Sequence, residues 1–154
     1  MTNDVKKIRE QFIEQVGLIA QGEGLPRIAG RLMGLMVFDG EPSSFGDLAK
    51  KLKVSRGSIS TNARMLESRG IIEKVAIPGD RQDYFLLAER PYEILLRDAA
   101  ARSRKAQAVI GKTANELPVS KGGTIERVRA YEKFYATIAK SIEDTAEILA
   151  KEAT

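Results

Sequence analysis

Residues 44–87, SFGDLAKKLKVSRGSISTNARMLESRGIIEKVAIPGDRQDYFLL, constrain the fold of this chain more than any other stretch. Ser44 followed by Asp47 has the form of a capping box, with Asp shorter than the preferred Glu or Gln. It opens a short helix over 45–52 with Phe45, Leu48, Ala49 and Leu52 inward. Lys53-Val54 makes a turn, and Ser55 is placed as the N-cap of a second helix reaching Ser68. On that helix Ile59, Ala63 and Leu66 step by four and three and therefore face inward, which leaves Arg56, Gly57, Ser58, Ser60, Thr61 and Arg64 outside. Gly70 is a natural stop. Residues 71–77 and 82–88 are rich in β-branched, aromatic and leucine side chains, as in a hairpin, and Pro78-Gly79-Asp80-Arg81 forms its tip. The order is helix, turn, helix, charged hairpin.

The flanking segments are helical. Residues 4–21 place Val5, Ile8, Phe12, Val16 and Ile19 at three- and four-residue steps, and Gly22, Gly24 and Pro26 interrupt the pattern. Residues 27–38 are apolar on more than one side, as a central buried helix is, and Gly30 and Gly34 would let another helix come close. Pro91 suits the first turn of a helix running from about Tyr92 towards Leu117, with Tyr92, Leu95, Leu96, Ala99, Ala106, Val109 and Ile110 on its apolar side. Pro118 and Gly122-Gly123 end it. The last helix, 124–151, carries Val128, Tyr131, Tyr135, Ile138, Ile142, Thr145 and Leu149 at alternating three- and four-residue steps, a heptad seam. The fold expected is mainly α with a small β-hairpin wing. A helix-turn-helix lobe over 22–90 is expected between an N-terminal helix, 1–21, and a C-terminal helical region, 91–154, the two flanks expected to carry dimerisation.

The missing residue types exclude much chemistry. The 154 residues contain no cysteine and no histidine, so thiol redox, cysteine nucleophiles and the commonest general base and metal ligand are absent together. With no Gly-rich phosphate loop and no recognisable carboxylate motif either, an enzyme is the least favoured class, and no cofactor or metal is expected. No apolar run reaches the roughly 18 residues of a membrane span. The start, MTNDVKKIREQF, lacks the apolar stretch of a secretory signal, so a cytoplasmic protein is expected. Net charge is +4, but it is unevenly spread. Between 50 and 81, eight basic residues stand against Glu67, Glu73 and Asp80, whereas from 124 to 154 five basic residues meet six acidic ones.

Positive charge that coincides with a helix-turn-helix pattern points to double-stranded DNA. A helix with small polar and basic side chains on its free face fits the major groove. Arg56 and Arg64 can reach a phosphate or a guanine edge, and Ser58, Ser60 and Thr61 can hydrogen-bond base edges or phosphates. Gly57 permits close backbone approach, and the amides following Ser55 can bind phosphate. Arg81 at the wing tip is placed for a minor groove. Asp80 beside it either holds another arginine or completes the turn. The rival reading is a dimeric adaptor whose winged lobe holds protein instead of DNA.

Ser55-Arg56-Gly57-Ser58-Ile59-Ser60, Leu66, Gly70 and the wing Gly79-Asp80-Arg81-Gln82-Asp83-Tyr84 resemble the multiple-antibiotic-resistance-regulator (MarR) superfamily. Residues 24–34, GLPRIAGRLMG, joined to SRGSIS, are most similar to its GbsR-like branch. The resemblance covers roughly residues 22–90. It implies a homodimeric bacterial or archaeal transcription regulator, usually a repressor, with the first and last helices at the dimer interface. It also implies choline or related osmolyte metabolism as a regulatory context. An effector at the junction of DNA lobe and dimer helices would be lined by Phe12, Tyr92, Tyr131, Phe134 and Tyr135, whose rings can hold a quaternary ammonium by cation–π attraction.

Overall fold

The computed structural model describes residues 1–152, which fall into two units, Met1–Pro91 and a second beginning at Tyr92. In the first unit α1 (Asn3–Gly22) is followed by α2 (Arg27–Asp39), β1 (Ser43–Ser44), α3 (Phe45–Leu52), α4 (Arg56–Ser68), β2 (Ile72–Ala76) and β3 (Asp83–Leu87). Helix α1 lies on α2 across Ile13, Gly17 and Ala20, its only buried positions. The glycine spacing in α2 serves this contact. A Cβ at Gly30 would stand 2.8 Å from the Val16 carbonyl oxygen, and one at Gly34 would stand 3.2 Å from the Ile13 Cα. Here backbone meets backbone, and even alanine would force the helices apart.

The apolar stripe read from the sequence of α1 is therefore not the face that α2 covers. Val5, Ile8, Phe12 and Ile19 stay exposed, with Ile8 at 57% and Ile19 at 59%, and Val16 is half-buried. Ion pairs reinforce the α1–α2 joint. Arg9 donates to both Asp39 oxygens at 2.7 Å, and Glu14 pairs with Arg27 at 2.9 Å and with Arg31 Nε at 2.7 Å.

The core of this unit is built from Leu32, Leu35, Met36, Leu48, Leu52, Ile59, Leu66, Ile71, Ile72 and Phe85, all under 2% exposed except Phe85 at 2%. The hairpin is closed by a third strand that the sequence reading lacked: the sheet order is β1-β3-β2, wholly antiparallel, with Ser43 opposite Phe85 and Ser44 opposite Tyr84. Both serines are buried. Phe45 stacks on Phe85 at 4.7 Å, fixing the start of α3 over the sheet. The strands are each one residue shorter at both ends than expected, because the tip and the exit loop take the remainder.

The second unit is a helical hairpin of α5 (Pro91–Glu116), a 3-10 turn (Val119–Lys121) and α6 (Gly122–Glu152). Gly122 and Gly123, expected to separate the helices, are the first residues of α6. The helices run antiparallel: Arg104 grips Glu143 at 2.8 and 2.9 Å, Gly111 leaves room for the Glu132 carboxylate, and Arg129 donates to Asn115. Apart from Pro91 at the start of α5, the buried positions among the described residues of the hairpin are small, namely Ala100, Gly111, Ala114, Ala139 and Ala146. The larger apolar residues expected inward are not buried. Leu95, Leu96, Ile110, Val128, Tyr135, Ile138, Ile142 and Leu149 are half-buried, and Tyr92, Val109 and Tyr131 are exposed.

Candidate nucleic-acid interface

The helix-turn-helix is set by three local devices. Ser44 Oγ accepts from the Asp47 amide at 3.2 Å to start α3, and Ser55 Oγ accepts from the Ser58 amide at 3.1 Å to start α4. Between them Lys53 adopts a left-handed φ of 55°. The third device comes from α2: Arg31 Nη2 donates to the Leu52 carbonyl at 2.8 Å, holding the last turn of α3. The same guanidinium pairs with Glu14, so one side chain joins α1, α2 and the turn. An open cavity of about 240 Å³ lies beside this joint, lined by Arg9, Ile13, Glu14, Arg31, Lys51 and Lys53 among others.

Helix α4 is anchored by Ile59, Ala63 and Leu66, each fully buried. That fixes its roll, and the opposite side carries Arg56, Gly57, Thr61 and Arg64, all exposed. Ser58 and Ser60 are half-buried, so they sit on the flanks of this face, short of its crest. Ser58 is also occupied at its backbone, since Asn62 Nδ2 donates to its carbonyl at 2.8 Å. Asn62 was not singled out in the sequence. Its spacing of four from Ser58 is the signal that could have found it. Ser55 is exposed, and its oxygen is engaged in the cap.

Six arginines elsewhere, Arg9, Arg27, Arg31, Arg97, Arg104 and Arg129, each hold a carboxylate. Arg56, Arg64 and Arg81 have no partner among the described residues. Arg56 and Arg64 share α4 with its N-terminal amides, whose dipole favours anions, and Arg81 stands exposed at the wing tip.

At the wing, Gly79 has a φ of +83° and the Asp80 amide donates to the Ile77 carbonyl at 3.0 Å, closing a Pro-Gly turn. Asp80 completes the tip. Its carboxylate accepts from the Gln82 amide at 2.9 Å and from the Tyr84 hydroxyl at 2.5 Å. The Tyr84 hydroxyl and the Gln82 amide hold the Asp80 carboxyl below its ordinary range, and the same bond raises the Tyr84 phenol. Lys74 pairs with Asp83 at 3.6 Å on the neighbouring strand.

The five aromatics expected around an effector divide. Tyr131, Phe134 and Tyr135 touch one another, with ring centroids 5.2–6.2 Å apart, along one side of α6. Phe12 lies in the first unit and packs on Phe38 at 5.8 Å, and Tyr92 is exposed at the start of α5. Among the described residues no three His, Cys, Asp or Glu side chains gather to hold a metal ion, and no helix is long and apolar enough to cross a membrane.

Residues 23–83, the segment that builds this surface, match the model of the MarR family. A transcriptional regulator of known crystal structure is 30% identical and superposes with a TM-score of 0.77, over 93% of this chain and 98% of that one. The chain belongs to the MarR family. Over 78 residues it is 50% identical to the HTH-type transcriptional regulator MmpR5 of Mycobacterium tuberculosis, which covers 50% of this chain and 47% of that protein. A putative HTH-type transcriptional regulator of Bacillus subtilis, YvaV, is 23% identical over 92 residues, 60% of this chain and 52% of that one. The chain thus spans about half the length of these curated relatives. Their names describe HTH-type transcriptional regulation, and α4 and the wing tip lie within the segment that the family model matches.

Proposed function

We propose that this MarR-family chain is a homodimeric, sequence-specific DNA-binding transcriptional regulator of the GbsR-like branch, acting in the cytoplasm as a repressor. It reads the major groove with α4 and the minor groove with the wing tip. The observation that carries the reading is the placement of Arg56 and Arg64, exposed and without a carboxylate partner, on a helix whose opposite face is fully buried, with Arg81 exposed at the wing tip. A helix held in that way presents the same side chains to every duplex it meets. Arg56 and Arg64 supply bidentate donors, Thr61 supplies a hydroxyl and a methyl, and Gly57 lets the backbone approach.

The dimer follows from what is left uncovered. The second unit buries only alanines and a glycine fully, and it exposes Val109 at 62%, Tyr131 at 53%, Phe134 at 53% and Ile148 at 56%. An apolar groove of about 330 Å³, lined by Val109, Ile110, Val128 and Tyr131 among others, crosses the hairpin. Together with the exposed stripe of α1, this is apolar surface that a second copy would bury. Repression follows from occupancy, since a dimer seated on an operator excludes polymerase from an overlapping promoter.

Control by an effector such as choline is the outer part of the proposal. The three rings on α6 lie side by side along one helix and do not surround a cavity, which favours a place in the dimer seam over a cation cage. Isothermal titration with choline and glycine betaine tests this outer part: measurable heat supports it, and no heat removes the choline version while leaving the DNA-binding reading in place.

Selection of bound fragments from the source genome tests the central reading. A roughly palindromic site is expected, with half-sites about 34–36 Å apart. If no fragment is retained, or Arg64→Ala and Arg81→Ala bind as the parent does, the winged lobe is a protein adaptor instead.

A further inference from the structure

The wing tip contains a feature that DNA binding alone does not require: a carboxylate placed beside the arginine that is to meet phosphates. A bare aspartate there would repel the duplex. Asp80, however, is bonded at both oxygens. Oδ1 takes the Gln82 amide at 2.9 Å, an Asx-type turn that spans Arg81, and Oδ2 takes the Tyr84 hydroxyl at 2.5 Å. Tyr84 belongs to β3, the central strand, and lies between Val75 of β2 and Ser44 of β1. The Pro78-Gly79 turn closes the other side of the tip through Asp80 and Ile77. Arg81 is thus flanked by residues that the Asp80 side chain ties to Tyr84 of the sheet, while its own side chain is exposed and unpartnered.

We propose that Tyr84 is a positioning residue for the minor-groove contact, fixing the tip through Asp80 so that Arg81 meets the duplex already ordered. The inference rests on the DNA-binding reading above. Its physical basis is entropic: a flexible tip must surrender backbone freedom when it binds, whereas a clamped one has surrendered it on folding. The strand pairing of β2 with β3 does not need the clamp, for Tyr84 pairs with Val75 and Ser44 through its backbone and the hydroxyl lies outside that ladder.

The test is a double-mutant cycle, read by fluorescence anisotropy on the operator fragment recovered by the genomic selection. Tyr84→Phe is expected to weaken binding by about 3–10-fold, the scale of one lost hydrogen bond. Arg81→Ala is expected to weaken it further, and Tyr84→Phe is expected to add nothing in the Arg81→Ala background, since no side chain is left to position. Asp80→Ala should match Tyr84→Phe, whereas Asp80→Asn, which keeps a polar partner for both Gln82 and Tyr84, should bind close to the parent. An unchanged melting temperature for Tyr84→Phe is part of the expected result. If Tyr84→Phe binds as the parent while Arg81→Ala is weakened, or if the two losses simply add, the positioning role is overturned and DNA binding stands. If the unmodified protein retains no fragment, the regulator reading fails and takes this inference with it.

Discussion

An exposed guanidinium that pairs with no carboxylate costs the free protein little and is available to displace a counterion from a phosphate. Arg64 and Arg81 are such groups, and they should fail differently. If Arg64 grips a base edge, Arg64→Ala removes about 1–3 kcal/mol and relaxes preference at one position of the operator. If Arg81 acts on backbone charge in the minor groove, its loss weakens all sequences alike and lowers the salt slope by about one. Affinity measured on operator and scrambled duplexes at several salt concentrations separates the two. At this scale the outward set was legible because Ile59, Ala63 and Leu66 fix the roll of an ideal helix, and the exposures of Arg56, Gly57, Thr61 and Arg64 follow from it. The Asp80–Tyr84 bond was not legible. It joins residues four apart across a turn, where spacing says nothing about which side chains meet until the turn type is known. The half-burial of Ser58 and Ser60 was missed for a simpler reason: small residues beside a buried stripe are shaded by their neighbours.

Among the elements, the α1–α2 joint depends on a charge pair with a defined pH response. Arg9 hydrogen-bonds both oxygens of Asp39 and lowers its pKa below the ordinary 3.8, and the bond raises Arg9 in turn. The side chains are only 13% and 11% exposed. Because the folded state favours the ionised carboxylate, this contribution is complete above the ordinary value and disappears as pH falls through the lowered one. Thermal melts between pH 5 and 2 should show parent stability falling at the acid end, with a smaller fall in Asp39→Asn. At neutral pH that variant should be less stable by about 1–3 kcal/mol, the range for a hydrogen bond to a charged group. Helix positions were legible from capping residues and apolar periodicity: Ser44 and Ser55 cap as expected, and α2 has the expected start. Which face turned inward was less so. In α1 the large side chains suggested one face, whereas Gly17, Gly30 and Gly34 allowed a closer approach on another. The strand β1 was hidden because two serines carry no β-branched or alternating signal, and their pairing is decided by β3.

At the level of the whole molecule, the exposed apolar stripes set the expected assembly. Sedimentation should give a particle of about twice the 16.9 kDa chain mass. Ile8→Glu and Phe134→Glu place a charge on the α1 stripe and the α6 patch, respectively, where burial against a second copy would be costly. Each should shift the equilibrium towards monomer and weaken operator binding together, while leaving helical content unchanged. A monomer for the parent protein would remove the two-fold operator from the proposal. One earlier feature bears on how such an assembly would behave. At Gly30 and Gly34 the first two helices meet over glycine, with only Ala20 and Val16 side chains beside the close backbone approach. A second copy seated on the outer stripe of the first helix would therefore push against a joint with little slack, and that helix is the route by which assembly would act on the reading head.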